Sequence, residues 1–501
     1  MSKTHLSLPS EEPGTEVESD GTPRNGYLEG PFAPVAQEVT AYDLAVTGTI
    51  PPELNGRFLR VGGNPNPVDP EDPRTYNWFI GSGMVFGVRL REGTAEWYRN
   101  RFVRDDRISA TMGLPRVPGP DQLARREPYR LKEGPRYVGV NVANTHVFAV
   151  NGRTYAFAEA GVLPMELSYE LETVARTDFG GTLNGSWTGH PHRDPVTGEL
   201  HGIAYYWQWD HASYQVLGTD GTISKRIDVP LTGPSTIHDM AFTGKYAVFL
   251  DGPVIFNEAA HAAGYEFPYM WDQDYPVRWA VIDRDGTAAD VRFCASEQSA
   301  VFHILNAFDL PDGRVAVDGV SYPKLFVDDL TGPTDSKGRL DRFILDPAAG
   351  TTKVERLDDR PQEMPRMDER LTGKKHRYGY FSSRLGNSGI LKQDLQEGRR
   401  EFYDHGPGRV GIETLFVPMS ATSGEDDGWL ITSVIDMPTN TSEVLIFHAQ
   451  DLPGGPVAKI HIPHRHNTGF HGNWIPDAEL AQANGGHDRH RRRRRLLLLL
   501  R

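Results

Sequence analysis

Along most of the chain, apolar positions recur at intervals of two, in short runs broken by turns. In GRVAVDGVSY, Val315 and Val317 alternate with Ala316 and Asp318, which is a strand period rather than a helical one. The same figure, a turn carrying Gly, Asp or Asn and then a β-rich run, appears in NGRFLRVGG, GMVFGVRL, NGRTYAFAEAG, GELHGIAYYW and GKYAVFLDG. It continues in DRFILD, GYFSS, DGWLITSVID and SEVLIFHAQDL. Between Tyr27 and about residue 478 there is no linker-like stretch and no long helical period. The pattern therefore predicts one all-β domain over residues 27–478, made of short antiparallel strands. A single barrel or sandwich rarely holds about 450 residues, whereas a propeller adds blades around a ring and leaves few open edges. Strict blade repeats such as a recurring WD dipeptide are absent, so the period is degenerate.

Composition narrows the function. Hydrophobic residues make up 38% and aromatics 10% of the 501 residues, enough to bury a sizeable core. A formal charge of −14 speaks against a nucleic-acid partner, which needs a basic face. The one cysteine, Cys294, excludes a disulfide framework and a cysteine-based zinc site, and fits a reducing compartment, the cytoplasm. Residues 1–26 carry no apolar stretch and read as a disordered tail rather than a signal peptide or membrane span. The N-x-S/T matches at Asn184 and Asn440 then carry no meaning. Residues 479–501 end in HDRHRRRRRLLLLLR and read as an unstructured or artefactual appendage, since five leucines cannot span a bilayer.

The candidate chemistry lies in histidines. GSGMVFG (residues 81–87) has close glycines, but no helix follows and no acidic ribose partner lies at the right distance, so it reads as a hairpin turn. Of 18 histidines, most sit in tails, loops, strand ends or polar faces. Four share a short, apolar, Gly- or Pro-rich context: His190 in SWTGHPHRDP, His238 in STIHDMAFTGKY, His303 in VFHILNAFD and His471 in TGFHGNWIP. In a propeller the inner strands of different blades all reach one axis, so residues this far apart can converge on one metal. Spacing alone does not decide whether they do.

Longer strings bear on that question. The chain carries, in order, LNGRFLRVGGNPNP, YNWFIGSGMVFG, WYRNRFVR, GHPHRDPVTGELHG, IHDMAFT, YPVRWAVIDRDG, FHILNAFD, EMPRMDERLTGKKHRYGY, EDDGWLITSVID and GFHGNWIP. With these it resembles the carotenoid cleavage oxygenases, a family that includes stilbene-cleaving and retinoid-isomerising members. The resemblance runs from about NGYLEGPFAPV to HGNWIP. It implies a seven-bladed β-propeller, capped by a dome of loops and short helices, with Fe(II) on the propeller axis and O2 as co-substrate. Carried over, the iron ligands are His190, His238, His303 and His471, while His192 and His201 fall outside the ligand positions. Glu159, Glu363 and Glu413 would accept hydrogen bonds from the outer nitrogens of His238, His303 and His471 respectively, leaving His190 without a carboxylate. Thr145 matches a position beside the open face of the iron.

Such a set is chemically coherent. Four neutral imidazoles leave an octahedral ion two neighbouring open positions, as in the two-His-one-carboxylate oxygenases. Carboxylates behind the rings fix each tautomer and raise ligand basicity. The implied reaction is oxidative cleavage of a carbon–carbon double bond to two carbonyl products, with no nucleophile motif such as G-x-S-x-G required.

The substrate is less marked. Stilbene-type members carry a Lys and a Tyr that grip a phenol, and the corresponding places here hold Ala158 and Phe102. Those side chains suit an apolar carotenoid or apocarotenoid better. Between Asp251 and YPVRW the chain is shorter than in members with an apolar membrane-docking insert, so at most weak membrane-surface contact is expected, and no protein partner. Two other readings stay open: a stilbene- or phenylpropanoid-cleaving enzyme, and a non-catalytic isoprenoid-binding propeller. A propeller hydrolase with carboxylate-bound calcium is disfavoured, because calcium takes oxygen ligands.

Overall fold

The computed structural model describes residues 25–65, 73–120, 143–183, 185–384 and 387–480. The expected tails therefore lie almost wholly outside the described residues. Asn25, at the end of the first of them, is buried and donates to the carbonyls of Pro73 and Tyr76.

Short antiparallel strands joined by tight turns form the body of the protein, and the turn residues explain the joints. Asn151–Gly152 links the strands His146–Val150 and Arg153–Phe157, and Glu92–Gly93 links Gly83–Arg91 to Thr94–Phe102. All four turn residues have positive φ, the backbone that two-residue hairpin loops of matching twist require. Helices are few and short, such as Asp106–Thr111 and Glu258–Ala262. No helix among the described residues is long and apolar enough to cross a membrane. The segment from Val254 to Trp271 turns its apolar side chains inward: Phe256, Phe267, Tyr269, Met270 and Trp271 all join the largest core cluster.

The fold is all-β and propeller-like. Among the described residues there are five separate sheets of four or five strands, one eight-stranded sheet and a two-stranded ribbon, where the family resemblance implies seven blades. The eight-stranded sheet is joined at its middle by one parallel register pair, Ala295 with Thr351. Sheet edges face a common centre. There Gly472–Pro476 lies beside His146–Val150, Ala241–Phe242 beside Ala300–Asp309, and Gln362–Arg366 beside Arg409–Pro418. The ring is closed twice by strands from opposite ends of the chain. Gly56–Gly63 pairs with Gly472–Pro476, and Val46–Gly48 pairs with Ala458–Ile462.

Face-to-face packing of sheets changes what alternation means here. The strand Val315–Tyr322 is buried along its whole length. Val315 and Val317 enter one core cluster, while Ala316 packs on the other face with Phe308 and Ile344. Asp318, which the alternation would leave in solvent, is buried and accepts two hydrogen bonds from Arg342 at 2.7 and 2.8 Å. A buried carboxylate needs such a partner.

Candidate metal centre

Every residue of the centre sits on, or next to, a strand, and all but Glu159 at a sheet edge. His303, Glu363 and Glu413 lie within Ala300–Asp309, Gln362–Arg366 and Arg409–Pro418. His190, His238 and His471 just precede the strands His192–Arg193, Ala241–Phe242 and Gly472–Pro476. Thr145 immediately precedes His146–Val150, and Glu159 follows Arg153–Phe157 by two residues. Histidines up to 281 positions apart in sequence thus meet at the centre of the ring.

The four histidines each point one ring nitrogen inward, and these nitrogens all lie within 4.8 Å of one another. Nε2 of His190 is 3.0 Å from Nε2 of His471, and Nε2 of His238 is 3.2 Å from Nε2 of His303. On the outer side, Nδ1 of His238 donates to Glu159 Oε1 at 2.9 Å, Nδ1 of His303 to Glu363 Oε2 at 2.6 Å, and Nδ1 of His471 to Glu413 Oε1 at 2.9 Å. A carboxylate on Nδ1 sets the tautomer, so these three rings present bare Nε2 lone pairs to the centre. Lone pairs facing one another need a cation among them. Two nitrogens at right angles around one ion at roughly 2.1 Å would stand about 3.0 Å apart, which matches the spacing found. The donor set fits a borderline transition-metal ion better than calcium or magnesium, which take oxygen.

Burial favours the neutral, ligating form at His190 and His471, and a neighbouring carboxylate opposes it at His303. Burial and the neighbouring imidazoles push His190 well below its ordinary range. Burial likewise takes His471 down to about 4, against the pull of Glu413. At His303 burial also acts downward, but the Glu363 carboxylate outweighs it and holds the ring above its usual value. Burial would raise Glu413, yet Arg366, His471 and Arg60 together hold it far below the carboxylate range. Phe302 stacks on His238 with ring centroids 3.9 Å apart, which fixes that ring's plane.

On one side His238, His303 and His471 border a cavity of about 850 Å³. Its walls near the centre are aromatic, with Trp78, Phe79, Phe267, Phe302 and Phe470, and serine side chains with Lys337 line it farther out. The short helical turns Gly26–Leu28 and Trp78–Ile80 and the loop bearing Phe267 cover this side. Thr145 and Ala158 both line the cavity. The Thr145 methyl faces the backbone just before His190: a Cβ on Gly189 would lie 2.8 Å from it, so a larger residue there would displace Thr145.

Phe102 requires a correction. It is buried but is not among the cavity-lining residues; its ring packs with Val35, Met84 and Ile108. The cause is its register on the strand Thr94–Phe102, which pairs Phe102 with Met84 at the far end of the ladder. His192 and His201 stay out of the cluster: His192 Nε2 contacts Asp239 Oδ1 at 2.8 Å, and His201 Nδ1 contacts the Tyr214 hydroxyl at 2.7 Å. His146 starts a strand but is buried, with its ring centroid 5.1 Å from that of His471.

Sequence reading missed four residues that hold the carboxylates. Tyr205 donates its hydroxyl to Glu159 Oε1 at 3.1 Å, and Tyr322 donates to Glu363 Oε1 at 2.8 Å. Arg60 and Arg366 lie 3.7 and 3.5 Å from the Glu413 oxygens. The one available signal was Arg60 itself, a charge inside the apolar run FLRVGG.

Comparison with known proteins agrees with this geometry. The family model described as retinal pigment epithelial membrane protein (RPE65) matches residues 32–476. The carotenoid cleavage oxygenase of Mycobacterium tuberculosis H37Rv is 37% identical over 508 residues, covering 90% of this chain and 98% of the relative. Among solved structures, lignostilbene dioxygenase from Pseudomonas brassicacearum superposes with a TM-score of 0.78 at 26% identity, covering 91% of this chain and 99% of that one. Cobalt-substituted Synechocystis ACO, an apocarotenoid oxygenase, gives 0.75 at 26% identity, covering 88% and 97%. A family match across nearly the whole described chain, carried by a ring of strands with four histidines at its centre, means that this protein belongs to the RPE65 or carotenoid cleavage oxygenase family of enzymes.

Proposed function

We propose that the protein is an iron(II)-dependent dioxygenase that cleaves a carbon–carbon double bond of a carotenoid or apocarotenoid with O2, giving two carbonyl products. The observation that carries this reading is the convergence of four imidazole nitrogens, three of them on histidines that line an aromatic cavity. His190, His238, His303 and His471 would hold the iron, whose chemistry when bound is the activation of O2.

The protein's own residues do the rest. Glu159, Glu363 and Glu413 keep a proton on Nδ1 of their histidines and so keep Nε2 free to ligate. Phe79, Phe302 and Phe470 wall the approach to the histidines and exclude water from it. Thr145, beside His190 and in the cavity wall, is assigned to narrowing the open side of the centre. A volume of about 850 Å³ lies within the roughly 300–1,000 Å³ usual for small-molecule sites and suits an extended apolar substrate.

The finer architecture follows the same reading. Both halves of the eight-stranded sheet are four-stranded antiparallel meanders with one parallel pair between them. Counting them as two blades gives a seven-bladed ring over residues 27–478, with the iron on its axis. On the single, buried and unpaired Cys294 we place the protein in the cytoplasm.

A stilbene substrate is the competing reading, favoured by the superposition on lignostilbene dioxygenase. Ala158 offers a phenol nothing, and the Tyr205 and Tyr322 hydroxyls already donate to carboxylates. A hydroxystilbene whose hydroxyl sits among the aromatic walls, short of the serines and Lys337, would bury that hydroxyl unpaired, which costs about 1–3 kcal/mol, roughly a 5–150-fold handicap. Product masses and kcat/KM for an apocarotenal and for resveratrol test this: the apocarotenal should be favoured at least about tenfold. Comparable or faster stilbene cleavage would reverse the substrate assignment.

The carboxylates give a second test. Glu363→Gln should lower iron affinity by roughly 10–100-fold while leaving the fold intact. Glu355→Gln, on an exposed carboxylate paired with Lys353, should not. Equal metal content in both variants would remove Glu363 from the site.

A further inference from the structure

We propose that Tyr205 is a positioning residue that commits Glu159 to His238 rather than to His190, an inference that rests on reading the four histidines as a metal centre. Glu159 stands between two rings. Its Oε1 accepts from His238 Nδ1 at 2.9 Å and from the Tyr205 hydroxyl at 3.1 Å. Its Oε2 lies 3.9 Å from His190 Nδ1, and neither of these two buried atoms takes a hydrogen bond among the described residues. A carboxylate shift of roughly 0.7–1 Å would bring that pair to hydrogen-bond distance. Two buried groups that satisfy each other after so small a movement exert a standing pull on Glu159 toward His190.

The Tyr205 hydroxyl opposes that pull. The phenol is 1% exposed and locked in the largest core cluster, and its hydroxyl has a second neighbour in Thr236 Oγ1 at 3.3 Å. Its hydroxyl therefore cannot follow a moving carboxylate. The other two carboxylates face no such choice. Glu363 is held by His303, by Tyr322 and by the backbone N–H of Met364, and no other histidine pairs with it among the described residues. Glu413 is held by His471, by the Gly472 N–H at 2.9 Å, and by two guanidinium groups. An imidazole backed by a carboxylate is the more basic ligand. Tyr205 therefore makes His238 a strong donor and leaves His190 the weak one.

Cobalt(II) titration of the metal-stripped, full-length protein reads this without turnover, through the visible ligand-field bands and the binding constant. Tyr205→Phe should shift the bands and weaken cobalt binding by up to about tenfold, the low end of the range for losing an outer hydrogen-bond partner. Tyr322→Phe should leave the bands where they are, since Glu363 keeps its other anchors. In a crystal structure of cobalt-loaded Tyr205→Phe, Glu159 Oε2 should lie within hydrogen-bond distance of His190 Nδ1. Unchanged bands and affinity in Tyr205→Phe, or equal shifts in both tyrosine variants, overturn the proposal. Should Tyr205→Phe fail to fold, Glu159→Asp, too short to reach His238 and Tyr205 together, has to give the band shift, and wild-type bands there overturn it. Failure of the underlying reading looks different: wild-type protein would bind no cobalt, or His238→Ala would bind it as tightly, and both readings fall.

Discussion

Replacing His303 with alanine should leave a folded protein that binds no stoichiometric iron and shows only background cleavage. His303 is one of only four inward nitrogens, and its Nε2 lies 3.2 Å from that of His238, so its loss opens one side of the centre. It also strands Glu363. That carboxylate keeps the Tyr322 hydroxyl and the Met364 N–H but faces the gap with no imidazole to accept from. A buried carboxylate without its partner tends to take up a proton and turn neutral, which removes negative charge the metal would otherwise feel. The strand Ala300–Asp309 is paired with Val315–Tyr322 on both sides of the irregularity that carries His303, so the backbone ladder does not depend on the ring. Iron content by elemental analysis, with circular dichroism as the fold control, checks this. Stoichiometric iron with surviving turnover in His303→Ala would remove the four-histidine centre.

Glu413→Leu should cost about 3–5 kcal/mol of stability even with no metal present, the usual penalty for removing one member of a buried ion pair. Arg60 is fully buried, and burial, which the Glu413 charge offsets only in part, brings its guanidinium down to about 10, so it depends on that charge. Its hydrogen bond to the Glu413 backbone carbonyl at 2.7 Å survives the substitution, but that carbonyl brings no charge. Arg366 is less exposed to loss because Glu369 also binds it, at 2.5 Å. The double variant Arg60→Met, Glu413→Leu should regain most of the loss, since replacing both members with apolar groups is often neutral. Urea midpoints of the metal-free proteins decide it. A single variant within about 1 kcal/mol of wild type would mean that the pair contributes little to stability.

Local pattern made the strands legible, because a two-residue hairpin such as Asn151–Gly152 writes its own turn requirement into the chain. The histidines and carboxylates were legible for a different reason: the four histidines and Glu363 lie in long strings that resemble a family, and Glu159 and Glu413 follow from the same resemblance. What the chain did not reveal arises from packing between distant segments. Asp318 looked like a solvent-facing alternate, but sheets stack on both faces and Arg342 reaches it there. Phe102 looked like a cavity residue, but its register opposite Met84 turns it into a separate cluster. Tyr205 and Tyr322 reach their carboxylates across 46 and 41 positions, and nothing in YYWQWD or GVSY announces a hydrogen bond to a glutamate. The two-sheet junction at Ala295 and Thr351 is likewise a meeting of strands far apart in sequence.

The double closure of the ring has a consequence for how the protein is made. Gly56–Gly63 waits, with its edge unpaired, until Gly472–Pro476 has left the ribosome. His471 is the residue immediately before that closing strand, and its own N–H bonds to the Thr145 carbonyl. The last inward nitrogen therefore arrives in the same event that seals the ring. A nascent chain carries at most three of the four histidines in place, however long the other sheets have been formed. Such late, sequence-distant pairing is slow and leaves strand edges exposed meanwhile. Supply of the metal during synthesis then matters less than its supply after release, and a chain that stops a few residues before Gly472 loses ring closure and cofactor together.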